Sequence, residues 1–427
     1  MLNRMYSYFM CFLQKYFKSI ISHNVAKNSL ALIALQFVSI IAPLIVFPYL
    51  SRVLGLDGFG LVMLALSACA IGTIITDFGF NLSGTYKVSL RRKDIDYVSE
   101  LIGAIFIIKL VLGLSFFTCI ILYSYFIGFG LESKNLALYI GFNILVQVFL
   151  PTWFFQGIER MKNVTFYMVI AKLTFVILVF LFINNKTDAE LVILFYSISN
   201  LFAVVFAIRS IYLSGYFISK PVNIRLVDVF KDSSQFFLSR AAVSIYTAAS
   251  TFLVGAFAGL QQAAVYGANE KLYQASQSIT GPIAQALFPH MANKKDSSLL
   301  MKIMIFVGTP LAIGCLIVGL WAGDILALIF GEEFRESGHI LQLFLVVTVV
   351  NFVAVNFGYP AFASIGKVHL ANYTVMLGAL VQLFCLLTLY ITDSFSSIHV
   401  VISVLITELV VMFSRVFLYK HHKISSK

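Results

Sequence analysis

Eight of the ionisable side chains inside or at the rim of apolar runs of this sequence stand as functional candidates: Arg52, Asp77, Lys109, Lys172, Arg240, the adjacent Glu270 and Lys271, and Glu408. A charge in hydrocarbon costs at least about 2.5–3.5 kcal/mol on insertion scales, so such groups are expected to face a cavity or a partner. The cations Arg52, Lys109, Lys172, Arg240 and Lys271 outnumber the carboxylates Asp77, Glu270 and Glu408. A hydrated cavity lined by several cations attracts a phosphate or pyrophosphate, and arginine is the better bidentate partner for it. The carboxylates are read as charge partners or as ion-coupling groups. Glu270 and Lys271 project about 100° apart on a helix and so address different neighbours. The competing reading is internal pairing of these charges, with Arg240 and Asp77 reaching back to the membrane surface.

The elements that must hold these groups follow from composition. Sixty per cent of the 427 residues are hydrophobic and 11% are charged, against about 45–50% and about 25% in soluble domains. A soluble enzyme is excluded, and the chain reads as an all-α polytopic membrane protein. Apolar runs near 30–52, 59–82, 100–126, 136–157, 165–183, 191–212, 235–258, 263–289, 301–322, 339–363, 371–391 and 398–418 predict about 12 transmembrane helices. An even number of spans puts both termini on one side. That side carries nineteen of the 30 basic residues, and the opposite loops carry Arg52, Lys134, Lys186 and Arg335. The asymmetry places both termini in the cytoplasm and accounts for the net charge of +11 without nucleic acid.

Residues 1–28, basic and aromatic without a long apolar core, are expected to lie on the cytoplasmic membrane surface as an amphipathic segment and not to act as a signal peptide. Residues 29–212 form an expected N-terminal six-helix bundle, 213–234 a cytoplasmic linker, 235–418 a C-terminal six-helix bundle and 419–427 a basic tail. Two halves of equal orientation are compatible with a parallel repeat. Its sequence trace is the pair of short glycine turns at Gly55-Leu56-Asp57-Gly58 and Gly259-Leu260-Gln261-Gln262. Seven of the eight prolines fall in or beside spans, where a missing amide donor bends a helix. The five cysteines are scattered without metal-ligand spacing, and His421-His422 lacks further ligands, so neither a metal nor a cofactor is expected. Asp77-Phe78-Gly79 ends a span without the loops a kinase needs. Outer loops are too short to build an extracytoplasmic active site.

Four stretches point to a family. Phe47-Pro48-Tyr49-Leu50-Ser51-Arg52-Val53-Leu54-Gly55, Asp77-Phe78-Gly79-Phe80-Asn81-Leu82-Ser83, Pro151-Thr152-Trp153-Phe154-Phe155-Gln156-Gly157-Ile158-Glu159 and Gly281-Pro282-Ile283-Ala284-Gln285-Ala286-Leu287-Phe288-Pro289 resemble those of bacterial O-antigen and capsule flippases of the Wzx type. One departure is Leu56, where that family often has proline. The resemblance implies the multidrug/oligosaccharidyl-lipid/polysaccharide exporter fold, two six-helix bundles in a V around a central cavity. It further implies a non-enzymatic carrier of undecaprenyl-pyrophosphate-linked oligosaccharide repeat units between leaflets of the bacterial inner membrane, working by alternating access with a proton or sodium gradient as its expected drive. Membrane lipid is an implied partner, as are a polysaccharide polymerase and a chain-length regulator. Within that frame Arg52, Lys109, Lys172, Arg240 and Lys271 are the candidate substrate cations, Asp77, Glu270 and Glu408 the pairing or coupling carboxylates, and Tyr246, Tyr266 and Tyr273 candidate platforms for sugar rings.

Three rivals are weighed. A multidrug exporter of the same superfamily would favour an acidic cavity, against the cationic lean seen here. A peptidoglycan-precursor flippase usually has additional spans. A polysaccharide polymerase or ligase, the enzyme alternative, commonly needs a sizeable periplasmic loop.

Overall fold

The computed structural model describes residues 24–128, 133–294 and 297–425, and their side chains except at 24–40, 235–236, 238–248, 294, 297, 424 and 425. Residues 1–23 of the expected surface segment therefore lie outside the described residues, as do the side chains of Arg240 and Tyr246. The described chain is helical throughout, with no strand among the described residues. The first half contains α1 (Asn24–Asp77), α2 (Phe80–Leu90), α3 (Ile95–Phe126), α4 (Lys134–Gln147), α5 (Thr152–Gly157), α6 (Met161–Phe182) and α7 (Ala189–Leu213). The second contains α8 (Leu226–Ala258), α9 (Leu260–Lys294), α10 (Ser297–Ile303), α11 (Thr309–Leu320), α12 (Ala322–Phe330), α13 (Gly338–Asn356), α14 (Tyr359–Ser364), α15 (His369–Ile391) and α16 (Ser397–Ser425).

Nine stretches among the described residues are long and apolar enough to cross a membrane. The first, Ile41–Leu90, contains the break at Gly55 and so spans two of the expected runs. Large apolar side chains such as Phe306, Leu316, Leu320 and Phe384 are more than two-thirds exposed. An outer surface of this kind is stable against hydrocarbon, where helices satisfy their own backbone polar groups. The chain is a multi-pass membrane protein.

The two glycine turns adopt matching conformations that a side chain would strain: Gly55 has φ 68°, ψ −176° and Gly259 has φ 92°, ψ 168°. A second correspondence is visible only in three dimensions. The expected fourth and tenth runs are both broken, at Val148–Pro151 and at Phe357–Gly358, and both resume as a six-residue helix, α5 and α14. Pro151 and Pro360 stand at the start of these short helices, where a missing amide donor costs nothing. Helix α5 packs on α2 and α14 packs on α9. The Trp153-Phe154-Phe155 motif is thereby fully buried beside Phe80 and Tyr167, with the Trp153 carbonyl accepting from Thr85 Oγ1 at 3.0 Å. It is a core motif.

The halves meet along α1 and α9. Around the Gly55 and Gly259 turns, at the end opposite the chain termini, this seam is tight. A Cβ built on Gly60 would lie 1.9 Å from the Leu260 carbonyl oxygen, one on Gly255 2.4 Å from Leu64, and one on Gly267 2.6 Å from Met63. Phe59 wedges between Phe330 and Phe334, with centroids at 6.1 and 5.8 Å. Ser51 Oγ donates to the Phe330 carbonyl at 2.7 Å, and Arg52 Nη2 donates to the Leu328 carbonyl. Toward the termini the first turns of α8 reach across to the N-terminal half. There Phe78 stacks on Phe230 (4.3 Å) and Phe237 (4.6 Å), the Ser83 and Ser233 hydroxyls are 2.7 Å apart, and Lys87 pairs with Asp232 at 2.8 Å.

Candidate functional site

Helix α9 determines the site. Its sequence is too polar for a lipid-facing span: Asn269, Glu270, Lys271, Gln274, Gln277, Ser278 and Thr280 follow one another within three turns. Those side chains require polar surroundings inside the protein. All but Asn269 line two cavities, with Gln274 on the wall of both.

The first cavity, of about 380 Å³, lies on the seam. The first half supplies Pro43, Phe47, Lys172, Tyr196, Ser199 and Asn200, and the second supplies Lys271, Gln274, Ser278 and Phe330. Lys172 and Lys271 thus face one space from opposite halves. Among the described residues no carboxylate lines this cavity, and neither lysine has an ion-pair partner within 4.0 Å. The Lys271 ammonium donates to Gln274 Oε1 at 3.2 Å and lies 5.5 Å from the Phe47 ring centroid. Asn200 adds a buried amide beside the Tyr196 hydroxyl on the same wall. Two ammonium groups facing one space, with an amide on its wall, have the chemistry to receive an anion.

The second cavity, of about 340 Å³, lies within the C-terminal half and has the opposite polarity. Glu270 and Glu408 line it together with Tyr266, Tyr273, Gln277, Asn351 and Asn356, and no cation among the described residues does. Thr251 Oγ1 donates to Glu270 Oε2 at 2.7 Å, and Asn351 Nδ2 donates to Glu408 Oε1 at 3.1 Å. The buried Asn356 Oδ1 has no donor among the described residues. Acceptors without cations form a place for a proton or a small cation. Arg415, buried near Glu408, is held by Thr374 Oγ1 (2.9 Å) and the Ala354 carbonyl (2.8 Å) at the end of α13.

Lys172 and Lys271 therefore share one cavity, and Glu270 and Glu408 share the other. The remaining candidates stand apart. Lys109 is buried in the N-terminal half, where the Asp77 carboxylate is its charged neighbour, and neither lines the two cavities. Arg52 is exposed and bonds the α12 end, as above. Arg240 is on α8, with its side chain outside the described residues. Asn200, Gln274, Asn351 and Thr251 escape a search for charges because they are neutral. Their only trace in the sequence is an amide or hydroxyl inside an apolar run.

A bundle of lipid-exposed helices, with one polar cavity on the seam of its halves and another inside the second half, belongs to the class of multi-pass membrane proteins. Among solved structures the fold is similar to lipid II flippase MurJ in an inward closed conformation, with TM-score 0.71 and 10% identity over 92% of this chain and 87% of that one. It is likewise similar to an inward-facing multidrug resistance transporter of the MATE family of the MOP superfamily, with TM-score 0.70 and 14% identity over 93% and 100%. A Shigella dysenteriae protein named "Putative O-antigen transporter" is 28% identical over 395 residues, 90% of this chain and 98% of that one. Residues 25–295 match the polysaccharide biosynthesis protein family, and the chain belongs to that family.

Proposed function

We propose that this protein is a flippase carrying undecaprenyl-pyrophosphate-linked oligosaccharide repeat units, of O-antigen or a related surface polysaccharide, from the cytoplasmic to the periplasmic leaflet of the bacterial inner membrane by alternating access. The observation that carries this reading is the seam cavity: cations from both halves and no carboxylate among the described residues, a wall suited to a diphosphate. The relative's name and the flippase among the fold's neighbours support it. Moving a glycan through hydrocarbon requires a hydrated path, while the polyprenyl chain can stay in lipid.

In this reading Lys172 and Lys271 hold the pyrophosphate, and Asn200 donates to it. Because the two lysines sit on different halves, an anion between them joins the bundles, and release requires the seam to part. Arg240 is assigned to the same task on sequence grounds. Glu270 and Glu408 carry the coupling proton or sodium ion, one helical face away from the anion. Arg52 and Ser51 close the end opposite the termini, which the basic-residue asymmetry assigns to the periplasm. Lys109, buried in the N-terminal half with the Asp77 charge near it, is assigned to that half and not to the anion. Residues 29–212 and 235–418 are the moving bundles, 213–234 their cytoplasmic connection, and the polymerase and chain-length regulator act on the delivered unit. The multidrug-exporter alternative fits poorly, since a lipophilic cation would be repelled by Lys172 and Lys271.

The test is a strain lacking the gene, assayed for surface polysaccharide and for the sidedness of lipid-linked single repeat units in inner-membrane vesicles. The expected result is loss of polymer with units trapped on the cytoplasmic leaflet, restored by the gene. Units that reach the periplasmic leaflet unpolymerised would instead identify a polymerase.

A further inference from the structure

One helix belongs to two cores. Leu226 and Val229, in the first turns of α8, pack into the N-terminal cluster that holds Trp153, Phe154 and Tyr167. Leu253, Val254 and Ala258, in its last turns, pack with Tyr266, Phe344 and Val400 of the C-terminal half. A movement of the halves against each other must either pull one end of α8 out of its core or turn about that end, because packed cores are not continuously deformable.

The chain before α8 decides between these. Residues 216–223 of the expected linker are bound to the start of α3 as a strap. The Tyr216 hydroxyl donates to the Arg92 carbonyl at 2.6 Å, the Phe217 amide to Ser99 Oγ at 3.1 Å and the Ser219 amide to the Ser99 carbonyl at 3.3 Å. Glu100 Oε2 then accepts from the amides of Val222 (3.2 Å) and Asn223 (2.8 Å), and its Oε1 accepts from Asn223 Nδ2 at 2.9 Å. Hydrogen bonds to a carboxylate are roughly twice as strong as those between neutral groups. The fit is close, since a Cβ built on Gly103 would lie 1.9 Å from the Ser219 carbonyl oxygen. Only Ile224 and Arg225 separate the pinned Asn223 from Leu226, about 10 Å of chain at full stretch. Ile224 itself packs on the N-terminal cluster.

The next turns of α8 continue the attachment. Val229 and Ser233 are buried, and the Ser233 hydroxyl, 2.7 Å from that of Ser83, also donates to the Val229 carbonyl at 2.8 Å. Phe230 and Phe237 stack on Phe78, and Asp232 pairs with Lys87. Read alone, these contacts would suit a gate between the halves. A gate needs parts that leave each other, and the strap keeps the first residue of α8 within reach of the N-terminal half.

We propose that the first turns of α8, to Ser234, form a fixed joint: they stay on the N-terminal half throughout the cycle, held by the strap on Glu100, and the C-terminal half turns about them when the seam opens. The proposal rests on the alternating access read above and assigns these turns to the first of the two moving bodies.

The test locks the joint. Ser83→Cys with Ser233→Cys, in the full-length protein with its native cysteines replaced, is oxidised in membrane vesicles of either sidedness. Ser278→Cys on the wall of the seam cavity reports access of an impermeant thiol reagent. Oxidised and reduced protein are expected to label from each side at rates within about twofold, with repeat-unit movement equally preserved. A fall of about tenfold or more in labelling from the terminus side on oxidation overturns the proposal, because the contacts are then a gate. Labelling from one side only, before oxidation, overturns alternation and the joint together. Labelling from both sides in either redox state, without movement of repeat units, refutes the cargo and supports the joint. The strap is tested separately by amide hydrogen exchange: Glu100→Ala is expected to speed exchange of residues 230–234 about tenfold and to leave residues 251–258 unchanged. Unchanged exchange at 230–234 overturns the part assigned to Glu100.

Discussion

Replacing Gly60 with alanine is expected to open the bundle at the end opposite the chain termini. The new methyl carbon would lie 1.9 Å from the Leu260 carbonyl oxygen and 2.6 Å from its carbon, both backbone atoms that cannot rotate aside. Relief requires the two helices to part by about 1 Å or more at this point, since apolar contacts settle near 3.5–4.0 Å. Overpacking of this kind costs about 1–3 kcal/mol. Gly60 belongs to the first half and Leu260 to the second, so the cost falls on the state in which this end is closed and vanishes when it opens. The closed-to-open ratio should fall about 5- to 150-fold. The assay is labelling of a cysteine placed at Ser278, on the wall of the seam cavity, in a background without other cysteines and in membrane vesicles of defined sidedness. Gly60→Ala should raise labelling by an impermeant thiol reagent from the side opposite the termini. Gly281→Ala, where a Cβ meets nothing within 4 Å, is the control and should leave labelling unchanged. Equal labelling of the two variants at equal protein level would refute the argument that this glycine seals the seam.

Other outcomes follow from the same geometry. Ser51→Ala with Arg52→Ala removes both donors to the α12 end and should shift the same labelling in the same direction by roughly tenfold, without changing the affinity for substrate. Lys172→Gln and Lys271→Gln should each reduce surface polysaccharide at least fivefold and together abolish it, with arginine at either position retaining activity; normal polymer in the double variant removes the anion role of the cavity. Glu270→Gln should abolish the response of flipping to an imposed pH gradient while substrate binding persists, and an unchanged response excludes Glu270 from coupling. Arg240→Ala should eliminate polymer without lowering protein level in the membrane, whereas Arg240→Lys keeps part of the activity; equal activity of alanine variant and wild type ends its assignment to substrate.

The sequence alone determined the class of protein, because membrane insertion is decided by local composition: apolar runs long enough to cross a bilayer, short loops and a one-sided excess of lysine and arginine are all properties of neighbouring residues. It also marked Lys172, Lys271, Glu270 and Glu408 as costly, since burial of a charge in such a run is penalised wherever the helix goes. What it lacked was the partner of each charge. Lys109 and Lys172 look alike in sequence, yet one lies near Asp77 inside the N-terminal half and the other faces a cavity opposite Lys271. That distinction depends on which helices adjoin, a long-range matter settled by the meeting of α1 and α9. The separation into a cationic and an acidic cavity was equally hidden, because Glu270 and Lys271 are adjacent and only helical geometry sends them to different spaces. The Trp153-Phe154-Phe155 motif carried the family resemblance but no site, since packing under α2 buries it. Local chemistry sets the cost of each residue, and tertiary contact alone decides which neighbour offsets it.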